Sequence, residues 1–501
     1  MLGGSLVVLV GLTLLLMRRE QRATGVSAKP QANGNTEIAA SEPLIIYCAA
    51  SNKPVIEKLR PACERKFGIA VRVEYGPSQT LLSSIEVAKT GDLYLPADDS
   101  YLELARGKQL VESEFPLAVM QARLAVKKGN PLGIEKLADI GEKSARLAQA
   151  NPEAAAIGKL VKKQLTESGT WEALAEQTTV FKTTVTEVAN DVKVGAVDAG
   201  IVWDAMAQQY PDLDFLALPE LEHVQSHVAL AVLTTSHQPQ LAHQVARYLS
   251  ARDGGLVVYR ELGYEAVEGD SWEETPELTL YAGSMLRPAI DETIKQFEAR
   301  EGARVNRVYN GCGILVAQMR AGQMPDAYFA CDAEFMSQVK DLFPKSESIS
   351  QNELVILVPK GNPRKIKSLK DLGQEGLRVG IGHEKQCAMG WLTQRTFDEG
   401  QVTDIVMKNV VVQSPTGDLL VNQMLAGSLD AAVAYLSNAA GAGDKLDAVR
   451  IQGLPCAIAT QPYGVSVQSK HKQLAARLKQ AILAAESRER FTSQGFGWLA
   501  K

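Results

Sequence analysis

The chain has 501 residues, 46% of them hydrophobic and 22% charged, with a formal net charge of −5. That length exceeds one ordinary core and implies two or more domains, while the absence of a basic run or face excludes the usual footprint of a nucleic-acid binder. The six cysteines (Cys48, Cys63, Cys312, Cys331, Cys387 and Cys456) form no CxxC pair. This excludes a disulfide-rich scaffold and a zinc-type cluster, and leaves room for one or two disulfides in an oxidising compartment.

In chain order, Leu6 to Met17 is an almost unbroken apolar run, followed by Arg18, Arg19 and Arg22. It is short for a spanning helix and has the length of a signal h-region. Residues 1–19 therefore read as an export signal or a retained membrane anchor, and 20–42 as a polar linker without hydrophobic periodicity. A β-rich run follows at 44–49 (LIIYCA), then a short loop and an amphipathic helical pattern (VIEKLRPACERKFG). The next segments are a second strand (AVRVEY), a loop containing Gly76, a helix (TLLSSIEVAKTG) and a third strand (DLYLPA).

The same order recurs from residue 278: LTLYAG, AIDETIKQFEAREG, RVNRVY, ILVAQMRAGQ and DAYFAC. Tyr47 falls on Tyr281, Pro54 on Pro288, Tyr75 on Tyr309, Asp92 on Asp326 and Asp98 on Asp332, all at an offset of 234. Further on the offset is 232: KKGNP falls on PKGNP, Gly158 on Gly390, Thr184 on Thr416 and Trp203 on Tyr435. One small adjustment over so long a stretch marks a tandem duplication, with a period far above that of a solenoid. The units read as 43–267 and 277–501, joined by an acidic connector at 268–276. Strands alternating with helices predict an α/β fold with largely parallel sheets, whose ligands sit beyond the carboxyl ends of the strands. The loops there carry Ser51, Ser78, Thr183, Thr184 and Trp203 in the first unit, with hydroxyls and backbone N–H groups but no Lys or Arg. Such neutral donors at helix N-termini suit an oxyanion. Each also has a plainer reading, Ser and Thr as helix caps, the aromatics as core and Gly158 and Gly390 as packing positions.

Both units resemble the molybdate-binding periplasmic proteins, the solute-binding components of ABC importers. The resemblance rests on Ala49-Ala50-Ser51, Gly76-Pro77-Ser78-Gln79-Thr80-Leu81, Asp92 to Asp98, Pro152 to Gly158, and Gly200-Ile201-Val202-Trp203. It implies two tandem type II periplasmic-binding units, each with two α/β lobes joined by a hinge crossed twice. It also implies a non-enzymatic role outside the cytoplasm, with molybdate or tungstate as ligand, ABC permease and ATPase subunits as partners, and no cofactor, resident metal or nucleic acid. The ligand set implied for the first unit is Ser51, Ser78, Ile157, Val185 and Trp203, with Trp203 in place of the family's Tyr.

For the second unit the implied set is Ser284, Cys312, Met389, Gly417 and Tyr435. Ser284 takes the place of the first serine only if its loop shifts by one residue, and Cys312 replaces the second. Cys312 and Cys387 can then form a disulfide or be unrelated buried thiols. Three other readings remain: a different anion such as sulfate or an organic acid, a ligand sensor signalling through the anchor, and an enzyme using Cys312 or Cys387 with His383.

Overall fold

A computed structural model describes residues 42–500. The expected signal or anchor at 1–19, and all of the 20–42 linker but its last residue, lie outside the described residues. In the first unit nine strands form the frame: β1 (Leu44–Ala49), β2 (Val71–Gly76), β3 (Leu93–Leu95), β4 (Val111–Lys127), β5 (Leu147–Ala150), β6 (Thr178–Lys182), β7 (Ala199–Trp203), β8 (Leu213–Leu216) and β9 (Gln225–Leu233). The strand order is β2-β1-β3-β9-β4-β7-β5-β6. β1 pairs in parallel with β2 and β3, and β5 in parallel with β6 and β7. β1 and β5 are buried almost throughout, because helices cover both faces of a parallel sheet, and this explains their unalternating apolar sequence.

β4 belongs to both lobes. Up to Gln121 it pairs with β9, and from Ala122 it pairs with β7 and then β8. The chain crosses between lobes there and again between Val224 and Gln225. One lobe holds β1–β3 and β9, the other β5–β8, and the hinge is crossed twice as expected.

The second unit repeats this order strand for strand. Its registers are those of the first at the same two offsets: Ile46 opposes Leu93 as Leu280 opposes Ala327, and Leu147 opposes Thr178 as Val379 opposes Val410. Each unit has its own large apolar core.

The units meet through the helices Pro239–Leu249 and Arg287–Glu301. Glu301 is fully buried there, bound by Arg477 of its own unit and flanked by His243 and Arg247 of the other. The connector is pinned rather than free. The Asp270 carboxylate accepts the Gln473 and Leu474 backbone N–H groups, both at 2.9 Å, and Lys66 lies 3.4 Å from the centre of the Trp272 ring.

Candidate functional site

In the first unit the loops leaving β1, β2, β5, β6 and β7 converge on one cavity between the lobes. It has a free volume of about 20 Å³ and is lined by Ser51, Ser78, Ile157, Val185 and Trp203 together with Ala97, Ala155 and Thr184. All five residues singled out in the sequence thus reach one space. Its free volume is far below that of drug-sized small-molecule sites, which run roughly 300–1,000 Å³, and suits a ligand of only a few atoms. No lining residue carries a charge.

The two serines are held differently. The Ser78 hydroxyl accepts the Ala97 backbone N–H at 3.0 Å, which orients it and leaves its own proton to donate. The Ser51 side chain is 4% exposed and its hydroxyl has no protein partner. Its loop is fixed from behind: Tyr264 donates its hydroxyl to the Ser51 carbonyl, and Asn52 donates its amide to the Pro96 carbonyl at 3.3 Å. A buried hydroxyl without a partner is costly, and such a group in a cleft between lobes is suited to receive one from a ligand.

Three helices begin at this cavity, Ser78–Ala88, Ala156–Glu167 and Val185–Val194. The first two have Pro77 and Ala155 at the cap position and no side-chain cap, so their first-turn N–H groups have no side chain to satisfy them. At the third, Thr184 accepts the Glu187 N–H in a full capping box, so the plain capping role holds for this threonine. Gly158 lets the second helix approach β5, because a methyl there would stand 2.3 Å from the Ala150 carbonyl oxygen. Free hydroxyls, uncapped helix N-termini and a neutral wall form a donor-rich site for a small anion.

The second unit uses the same frame differently. The short helical turn after its first strand starts at Ser284, as that of the first unit starts at Ala50. The loop has no one-residue shift, so Ser284 takes Ala50's place and the buried Met285 takes Ser51's. Cys312 is bonded to Cys331, not to Cys387, which is a free buried thiol. Cys331 follows the strand Ala327–Phe329, beside the start of the helix Cys312–Arg320 in the same lobe, whereas Cys387 lies in the other lobe.

Burial pushes the Cys387 thiol up to about 11, which keeps it protonated and a poor nucleophile beside His383. Met389, Gly417 and Tyr435 are buried, and the Tyr435 hydroxyl has no partner. Sequence reasoning overlooked Cys331, although its fall on Ala97 at the first offset is visible in the repeat.

Two α/β lobes hinged about a cavity at the carboxyl ends of their strands define a two-lobed solute-binding protein. The chain belongs to the bacterial extracellular solute-binding protein family, whose model matches residues 44–264 and again 278–497. It is similar to a binding protein of Haemophilus influenzae, with 27% identity over 230 residues, covering 44% of this chain and 91% of that one. It is also similar to the molybdate-binding protein ModA of Mycobacterium bovis, with 26% identity, covering 44% of this chain and 84% of that one. Among solved structures, the periplasmic molybdate-binding protein of Azotobacter vinelandii superposes with a TM-score of 0.39 at 18% identity, covering 44% of this chain and 98% of that one.

Proposed function

We propose that the first unit captures a tetrahedral oxyanion, molybdate or tungstate, for delivery to the permease and ATPase subunits of an ABC importer. The observation that carries this reading is the buried, unpartnered Ser51 hydroxyl in a small neutral cavity shared with Ser78 and two uncapped helix N-termini. Donors without acceptors favour the fully ionised anion, and the neutral wall leaves the charge to be met by oriented dipoles. The ligand bridges the lobes and stabilises their closed arrangement by its higher affinity for that state. An organic acid is disfavoured by the cavity's size and by its lack of an arginine to pair a carboxylate. The similarity to a molybdate-binding relative supports molybdate over sulfate. The apolar segment at 1–19 serves in this reading as export signal or anchor on the outer face of the membrane.

Isothermal titration of the full chain with molybdate, tungstate and sulfate tests the reading. Tight binding of the first two with sulfate ignored is expected. Preference for sulfate would move the assignment to the other anion, and no binding of any of the three would overturn it.

A further inference from the structure

The second cleft keeps the frame of the first with several of its groups replaced or engaged. Three small side chains that line the first cavity, Ser78, Ala97 and Ala155, are matched by Cys312, Cys331 and Cys387. The Cys331 backbone N–H meets Cys312 Sγ at 3.0 Å, as the Ala97 N–H meets the Ser78 hydroxyl, but that sulfur is spent in the disulfide. The Gly390 N–H, counterpart of that of Gly158, donates to the Cys387 backbone carbonyl at 3.0 Å, and the buried Cys387 thiol stands at the start of that helix.

The walls have adjusted to the sulfur. Gly283 replaces Ala49, and a methyl there would stand 2.2 Å from Cys331 Sγ. Gly417 replaces Val185, and a methyl there would stand 2.2 Å from Asn438 Oδ1. The Asn438 amide nitrogen donates to Asp418 at 3.0 Å, so its oxygen, an acceptor, faces the start of the helix Gly417–Leu425. Asp418 itself stands where the first unit has Thr186. An acceptor oxygen and a carboxylate at the place of expected donors repel an oxyanion. The buried Tyr435 hydroxyl is left without a protein partner.

The lobes also touch directly. The Gly313 N–H of one lobe donates to the Gln386 carbonyl of the other at 3.1 Å. Methyl groups on Gly311 and Gly313 would stand 2.3 Å from the Gln386 oxygen and 2.0 Å from the Lys385 oxygen. The first unit has Pro77 and Gln79 at these places, Pro77 lining the cavity and Gln79 a wider opening shared with Pro152 and Glu153 of the other lobe.

We infer that the second cleft is self-occupied: sulfur fills its ligand space, glycines bring its lobes into backbone contact, and it stands closed without taking a solute. The chain is then a receptor with one working site, in its first unit, attached to a second unit that keeps the closed form permanently. The choice of molybdate as probe rests on the oxyanion reading, whereas the closure does not.

Two measurements on the full chain decide it. Titration with molybdate is expected to give one site per chain, and Ser51→Ala/Ser78→Ala is expected to weaken that binding by roughly 100-fold or more, from two charge-assisted bonds of ~1.5–3 kcal/mol each. Two sites in the parent, or one site surviving undiminished in the double variant, would overturn the inference. Hydrogen exchange of the solute-free protein is expected to find the Gly313 amide protected, and unchanged by molybdate. Exchange at the rate of an unstructured peptide would overturn the closure. If no oxyanion binds at all, the proposed function fails and the Gly313 amide still decides the state of the second cleft.

Discussion

Arg477 donates Nε and Nη2 to the Glu301 carboxylate at 2.9 and 3.0 Å, and its guanidinium lies 4.1 Å from the centre of the Phe115 ring in the other unit. Arg247 of the first unit donates to the Glu301 backbone carbonyl, so one buried residue is held from both sides of the seam. Removing one partner of such a pair leaves the other buried and uncompensated, at a cost of ~3–5 kcal/mol. Glu301→Gln is therefore expected to lower stability by about that amount and to loosen the docking of the units. Urea unfolding of variant and parent, read with a probe in each unit, checks it. An unchanged midpoint would show that the ion cluster contributes nothing to the seam.

The same cluster sets an acid limit. Burial alone would raise the Glu301 carboxyl, but the Arg477 charge and hydrogen bonds outweigh it and hold it at about 2, below its ordinary 4.5. Burial lowers His243 from 6.5 to about 4. In both groups the unfolded chain binds the proton more readily, so their contribution is complete above the unfolded values and is lost as pH falls toward the folded ones. Stability is expected to decline from about pH 6.5 downward through His243, then more steeply below 4.5 through Glu301. Urea midpoints across this range check it, and His243→Gln should flatten the upper part of the curve alone.

The two serines of the first cavity should separate binding from stability. Ser51 has no partner in the protein, so Ser51→Ala removes an unsatisfied buried hydroxyl and is expected to leave the solute-free protein as stable as before or slightly more so. Ser78→Ala strands the Ala97 N–H and is expected to cost ~1–3 kcal/mol of stability. Both should weaken oxyanion binding by roughly 10- to 100-fold, the worth of one hydrogen bond to a charged group. Titration and thermal unfolding of the two variants, side by side, check the contrast. Equal losses of stability would show that Ser51 has an internal role.

Much of this arrangement was legible because the duplication supplies an internal comparison. Tyr47 on Tyr281 and Asp98 on Asp332 set the frame, and strand–loop–helix order then placed Ser51, Ser78, Ile157, Val185 and Trp203 at one end of the strands. Where the copies diverge, resemblance misled. Ser284 matches Ser51 only with a one-residue shift of its loop, and backbone geometry shows no shift and puts Met285 there. A Cys312–Cys387 disulfide is one of two readings the sequence leaves open, whereas the partner of Cys312 is Cys331 on its own lobe. The Glu301 cluster left no sequence signal, since residues 243, 301 and 477 meet only through helix packing between units.

Gly158 tests how tightly the anion site depends on helix placement. A methyl there would stand 2.3 Å from the Ala150 carbonyl oxygen and 2.8 Å from the Asn151 carbonyl carbon, both backbone atoms that cannot rotate away. Gly158→Ala must therefore push the helix Ala156–Glu167 off β5, and overpacking of this kind costs ~1–3 kcal/mol. The shift moves the uncapped Ile157 and Gly158 N–H groups relative to Ser51 and Ser78, so affinity should fall by about tenfold or more as hydrogen bonds lengthen. Gly107 is the matched control: it also lies in a helix, a methyl there meets nothing within 4 Å, and Gly107→Ala should stabilise by up to ~1 kcal/mol with binding unchanged. Titration and thermal unfolding of both variants separate the alternatives. A Gly158→Ala protein with parental affinity would mean that the helix start does not hold the ligand.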